Sequence, residues 1–123
     1  MAALHKSTGE TAWLYTRPYE PYKEVKPVFL KSYQTPVLLE IDGKTQLVSN
    51  GAMMVTGHEP RTGQELWRVL YRDDSTISRI VNGDGLMFVN TGGKHGGTQL
   101  WSSREGGAGD ITDSHVVWKM NDD

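Results

Sequence analysis

The sequence predicts an all-β fold assembled from repeated units, on three observations. The first is a recurring motif. Thr8-Gly9-Glu10-Thr11-Ala12-Trp13 and Thr62-Gly63-Gln64-Glu65-Leu66-Trp67 share the pattern T-G-[EQ]-x-x-W, each with a base just upstream, Lys6 and Arg61. A degenerate third copy runs from Gly109-Asp110-Ile111-Thr112 to Val116-Val117-Trp118-Lys119. The second is that short aliphatic and β-branched runs alternate with turn signals along the whole chain. The third is that no stretch carries the 3.6-residue apolar period of an amphipathic helix. Composition agrees: Gly, at 14 of 123 residues, exceeds its average usage of about 7%, whereas Pro, at 5, does not exceed its own of about 5%.

The elements follow in order. Residues 1–14 read as two strands around the first Thr-Gly. Arg17 to Lys31 has no clear strand signal, and Pro18, Pro21 and Pro27 leave no room for a helix interior. Thr35 to Ile41 is an aliphatic run ended by Asp42-Gly43, a strong two-residue hairpin signal, and Thr45 to Ser49 resumes the strand. Asn50-Gly51 reads as the next turn, before Ala52 to Gly57; Pro60 to Gly63 turns again into Glu65 to Val69. The second series is Ser75 to Val81, the turn Asn82 to Gly85, Leu86 to Asn90, the loop Gly92 to Gly97, Thr98 to Trp101, a Gly-rich loop over 106–110 and a strand from His115 to Met120.

The tryptophans Trp13, Trp67 and Trp118 stand 54 and 51 residues apart. Periods of roughly 40 to 50 residues with four strands each are those of β-propeller blades, whereas a leucine-rich repeat is about half as long. The expected architecture is a partial β-propeller of about two and a half four-stranded antiparallel blades. Residues 1–14 end one blade, 31–71 form a second, 75–121 form a third, and 15–30 are a Pro- and Tyr-rich connection. Blades cover their faces against neighbours in a ring, so this number leaves apolar faces bare. The chain is therefore expected to be a fragment completed by the remaining blades of a longer propeller, or to self-associate, and not to exist alone as a compact monomer.

Charge and composition narrow the function classes. Thirteen Lys+Arg against 15 Asp+Glu, without a basic block, lack the electrostatic footprint of a nucleic-acid binder. No apolar run approaches the roughly 20 residues of a membrane-spanning helix. Cysteine is absent, so there is no disulfide, thiolate metal site or cysteine nucleophile. Residues 1–9 lack the roughly 7 to 15 residue apolar stretch of a signal peptide.

The T-G-[KEQ]-x-x-W pattern, once per unit, resembles the signature of PQQ-like (quinoprotein-type) propeller repeats. That family includes pyrroloquinoline-quinone dehydrogenases and the lipoprotein of the outer-membrane barrel-assembly machine. The stretch Tyr33-Gln34-Thr35-Pro36-Val37 with Gly43 to Val48 is similar to the first two strands of such a blade, and Gly109 to Lys119 to a blade ending in bacterial PQQ-like repeat proteins. The resemblance spans essentially the whole chain. It implies that Thr8-Gly9 and Thr62-Gly63 make tight turns before the last strand and that Trp13, Trp67 and Trp118 pack between neighbouring blades. It also implies a periplasmic or secreted location. The signature is structural and carries no activity, and the expected function is a non-catalytic binding or scaffold module, for which a protein is one candidate partner. The alternative is a piece of a quinone-dependent dehydrogenase. Such enzymes add a vicinal cysteine pair, a catalytic Asp and a calcium site; the cysteine pair has no counterpart here.

Nothing else in the sequence points to catalysis, a cofactor or a bound metal. His58-Glu59 is not H-E-x-x-H, and His5, His95 and His115 stand singly. Thr91 to Thr98 departs from a Walker loop because Lys94 is followed by His95 and then by a strand. Glu105, Asp110 and Asp113 surround a Gly-rich loop but lack EF-hand spacing. The segment from Trp13 to Tyr22 is the one feature that blade building does not explain. Its Tyr15, Arg17, Tyr19 and Tyr22 form a candidate partner surface, since Tyr and Arg are enriched at binding hot spots.

Overall fold

A computed structural model describes residues 1–74, 76–91 and 99–121, the side chain of Asn121 excepted. The all-β expectation holds. Strands β1 (Ala2–Leu4) and β2 (Thr11–Leu14) form an antiparallel hairpin. A five-stranded sheet follows in the order β10-β6-β5-β4-β3, built from β3 (Val37–Ile41), β4 (Lys44–Gly51), β5 (Met54–His58), β6 (Glu65–Leu70) and the short β10 (Gly109–Asp110). The third sheet has the order β11-β9-β8-β7, with β7 (Val81–Gly83), β8 (Leu86–Asn90), β9 (Gln99–Arg104) and β11 (Val116–Asn121). All pairings are antiparallel except that of β10 with β6. None of the sheets closes on itself. Among the described residues helix is confined to two 3-10 turns, Glu20–Tyr22 and Pro27–Phe29, and a single α turn, α1 (Thr112–His115). No helix of the described residues is long and apolar enough to cross a membrane.

Three local readings are corrected. The turn expected at Asn50-Gly51 lies two residues later, at Ala52-Met53, and β4 runs through Gly51, which pairs with Met54. Tertiary contacts override the local signal. Gln34 Oε1 accepts from the Asn50 N–H at 3.2 Å and Ser32 Oγ donates to the Asn50 carbonyl at 2.7 Å. Met53 takes the left-handed turn conformation instead, at φ 63°, pinned because its N–H donates to Asp73 and its carbonyl accepts from Tyr71. Of the strand expected over 75–81, Ser75 lies outside the described residues and only Val81 of the rest is in a strand, opening β7, while the turn narrows to Asp84-Gly85. Upstream of it, the backbone is taken by a parallel bridge from Thr76 to Ser32, with Thr76 O accepting from Tyr33 N–H at 2.9 Å. His115 ends α1 rather than opening a strand. Asp110 Oδ1 accepts from the Thr112 N–H and hydroxyl, at 3.0 and 2.6 Å, and so turns the chain into a helical loop.

The core lies between the second and third sheets. Val37, Leu39 and Ile41 of β3 alternate inward, and with Val48, Val55, Trp67 and Val69 they meet Ile80, Met87, Val89, Trp101 and Ile111. The opposite face of the second sheet is covered by the hairpin and the chain that follows it, where Tyr22 packs with Ala52 and Met54. All five residues of β5 are consequently buried.

Candidate functional site

The two Thr-Gly motifs build the same turn. In the hairpin, Gly9 at φ 76° donates to His5 O at 2.8 Å and His5 N–H donates to Glu10 O at 2.8 Å. In the second sheet, Gly63 at φ 74° donates to Glu59 O at 2.9 Å and Glu59 N–H donates to Gln64 O at 2.9 Å. Each threonine hydroxyl, Thr8 or Thr62, accepts from the N–H two residues on at 3.2 Å. The sequence repeats here because the geometry does: only glycine takes the left-handed conformation without strain, and the short hydroxyl closes the loop on itself.

The three tryptophans each lie opposite a small residue on the neighbouring strand, Trp13 at Ala3, Trp67 at Gly57 and Trp118 at Ser102. At Gly57 the partner's low bulk is needed: a Cβ there would stand 2.1 Å from Trp67 Cε2. Their surroundings differ. Trp13 is half-buried, its Nε1 donates to Pro60 O at 2.9 Å, and its ring sits on Gly63, where a Cβ would meet Cε3 at 2.4 Å. The first indole thus occupies the second Thr-Gly turn. Trp67 is fully buried and donates to Gln46 Oε1 at 2.7 Å. Trp118 is 40% exposed, in tilted contact with Phe88 at 6.4 Å between ring centres.

Of the four residues read as a partner surface, three turn inward. Tyr15 sets its ring edge-on to His58 at 4.4 Å and donates its hydroxyl to Glu65. Arg17 lies over Gly51 and reaches Ser49 Oγ at 3.3 Å. Tyr22 is buried and donates to Ala52 O at 2.8 Å. Tyr19 alone is exposed, at 68%. Burial, followed by the nearby Glu65 carboxylate, pushes the Tyr15 hydroxyl well above its usual pKa.

Sequence reasoning missed the polar cluster beneath this segment. His58 is fully buried, with Nδ1 at 3.1 Å from Gly63 O and Nε2 at 2.8 Å from Thr56 Oγ1. A carbonyl can only accept, so Nδ1 carries a proton; burial holds the ring's pKa below the usual histidine value. Tyr71 is also buried, and its hydroxyl reaches Asn50 Oδ1 at 2.6 Å and the Gly51 carbonyl. Burial raises its pKa far beyond the usual phenol range. The only signal for this cluster was the spacing of polar residues within strands, which does not distinguish inward from outward.

The remaining candidates are not brought together. Glu105 accepts from Asn82 Nδ2 at 2.6 Å, Asp110 caps the loop into α1, and Asp113 lies in the first turn of α1. Among the described residues no group of three or more His, Asp and Glu is placed to hold a metal ion. The loop carrying Lys94 and His95 lies outside the described residues. A cavity of about 590 Å³ opens where the 3-10 segment meets the end of β6, with Val25, Phe29, Met53 and Leu70 beside the carboxylates of Asp73 and Asp74. No protein-family model matches this chain, and no curated protein matches it.

Proposed function

We propose that the chain is a run of blades of a PQQ-like β-propeller that acts as a non-catalytic scaffold for binding protein, completed by further blades or by association. The observation that carries this reading is the progression of the three tryptophan faces. Trp13 projects from the hairpin onto the second sheet, Trp67 projects from the second sheet into the core shared with the third, and Trp118 occupies the corresponding strand of the third. Units that present one face forward and accept on the other propagate indefinitely, which is the mechanics of a repeat array. The motif groups are spent on construction. Both threonine hydroxyls and both glycine N–H groups close turns, and two indole N–H groups tie neighbouring strands or sheets. The non-catalytic part is tested by thermal unfolding with pyrroloquinoline quinone and calcium. A ligand at about 100 times its Kd adds roughly 2.7 kcal/mol to stability. The expected result is an unchanged Tm, and a clear rise with either ligand overturns the reading.

A further inference from the structure

The second Thr-Gly turn holds an indole; the first, built with the same hydrogen bonds, holds none. A Cβ placed at Gly9 meets no described atom within 4 Å, whereas one at Gly63 strikes Trp13. Trp118 is in the converse position, an exposed indole on the last strand of its sheet. The faces around these two features stand at positions equivalent to the faces already joined inside the chain. Subtracting the 54-residue period places Leu4 at the position of His58 and Leu14 at that of Arg68, on the side of the second sheet that the hairpin segment covers. Leu4 and Leu14 are 60% and 71% exposed. On the other side, Met120 and Val81 are exposed beside Trp118 and Phe88. Both surfaces carry exposed apolar side chains at positions equivalent to the two sides of the internal contact.

We infer that two copies of this chain dock head to tail, with Trp118 of one copy seated on the Thr8-Gly9 turn of the next. The seating repeats that of Trp13 on Thr62-Gly63, so the acceptor for the Trp118 indole N–H is the Lys6 carbonyl, one period before that of Pro60. Because the two halves of the contact are different surfaces, it is heterologous and closes into a ring or extends, according to the rotation between copies. This rests on the repeat-unit reading above, and its test is independent of quinone or calcium binding.

The test is light scattering on the 123-residue chain across a concentration series, with two variants and their mixture. Trp118→Ser removes the indole from an exposed site, and Gly9→Asn puts bulk on the turn while keeping a residue that tolerates the left-handed conformation. The wild-type mass is expected to rise with concentration to two or more chains, and each variant alone is expected to remain a monomer. Mixed in equal amounts, the variants supply one intact indole and one intact turn, and should form a 1:1 dimer that grows no further. Leu14→Asp, at an exposed position, repeats the turn-side block if Gly9→Asn fails to fold. A wild-type chain that is monomeric throughout overturns the contact, as does assembly by Trp118→Ser alone or a mixture that stays monomeric.

Discussion

The second and third sheets are built from similar strands but live in different surroundings. The second is covered on both faces, by the hairpin segment on one side and the third sheet on the other, so every residue of β5 is buried. The third sheet buries the face carrying Met87, Val89 and Trp101, while on its other face Val81, Trp118 and Met120 are exposed among the described residues. The edges differ too. β10 pairs along β6, with Ile111 N–H donating to Arg68 O at 2.9 Å and Leu70 N–H to Thr112 Oγ1 at 2.8 Å. Equivalent side chains therefore carry unequal energetic weight: a tryptophan stabilises in proportion to what covers it, not to the motif that places it.

The sharpest way to break this comparison is to truncate the two tryptophans in parallel. Trp67→Ala should lose about 3 to 5 kcal/mol, because a fully buried indole leaves a cavity. Trp118→Ala, measured on monomer, should lose less than about 1 kcal/mol, the level of an ordinary substitution. Urea unfolding midpoints decide, and equal losses would show that exposure is not the controlling variable. Gly57→Ala should cost about 1 to 3 kcal/mol, since the new Cβ cannot coexist with Trp67 Cε2 at 2.1 Å without displacing the indole. The analogous Ser102→Ala, beneath Trp118, should leave the midpoint nearly unchanged.

Smaller effects sharpen the contact between the hairpin and the second sheet. Trp13→Phe keeps an aromatic ring on Gly63 but removes the donor to Pro60 O, and should cost about 1 kcal/mol in the same assay. The buried His58 supplies a pH dependence whose sign follows from its lowered pKa. The unfolded state takes up a proton near the ordinary histidine value of about 6.5, while the folded state resists it, so stability falls as pH drops below that value. The midpoint should decline between about pH 7 and 5.5. That decline should be flatter in His58→Gln; an unchanged slope would assign it to other groups.

Much of the fold was legible in the sequence where short-range chemistry decides it. Asp42-Gly43 closes its two-residue hairpin, with both residues at positive φ, because that turn demands conformations few other pairs adopt. The aliphatic run from Thr35 to Ile41 announced a strand, and β3 forms within it. The Thr-Gly motifs announced their turns, since glycine and a short hydroxyl suffice to build them. Pro21 and Pro27 kept the connection to single 3-10 turns.

What only the tertiary structure decided is what each element leans on. Asn50-Gly51 carries a turn signal yet lies in β4, because Gln34, Ser32 and Tyr71 bind Asn50 there and Arg17 covers Gly51. Tyr15, Arg17 and Tyr22 have the composition of a binding surface but are drawn onto the second sheet by His58, Ser49 and Ala52, residues between 30 and 50 positions away. Trp67 and Trp118 stand on equivalent strands of their sheets and differ in exposure because one face meets a further sheet and the other meets none among the described residues. Local sequence sets backbone conformation through sterics acting over a few residues, whereas burial is set by surfaces brought together across the chain, and no pattern within a single strand records which surface arrives.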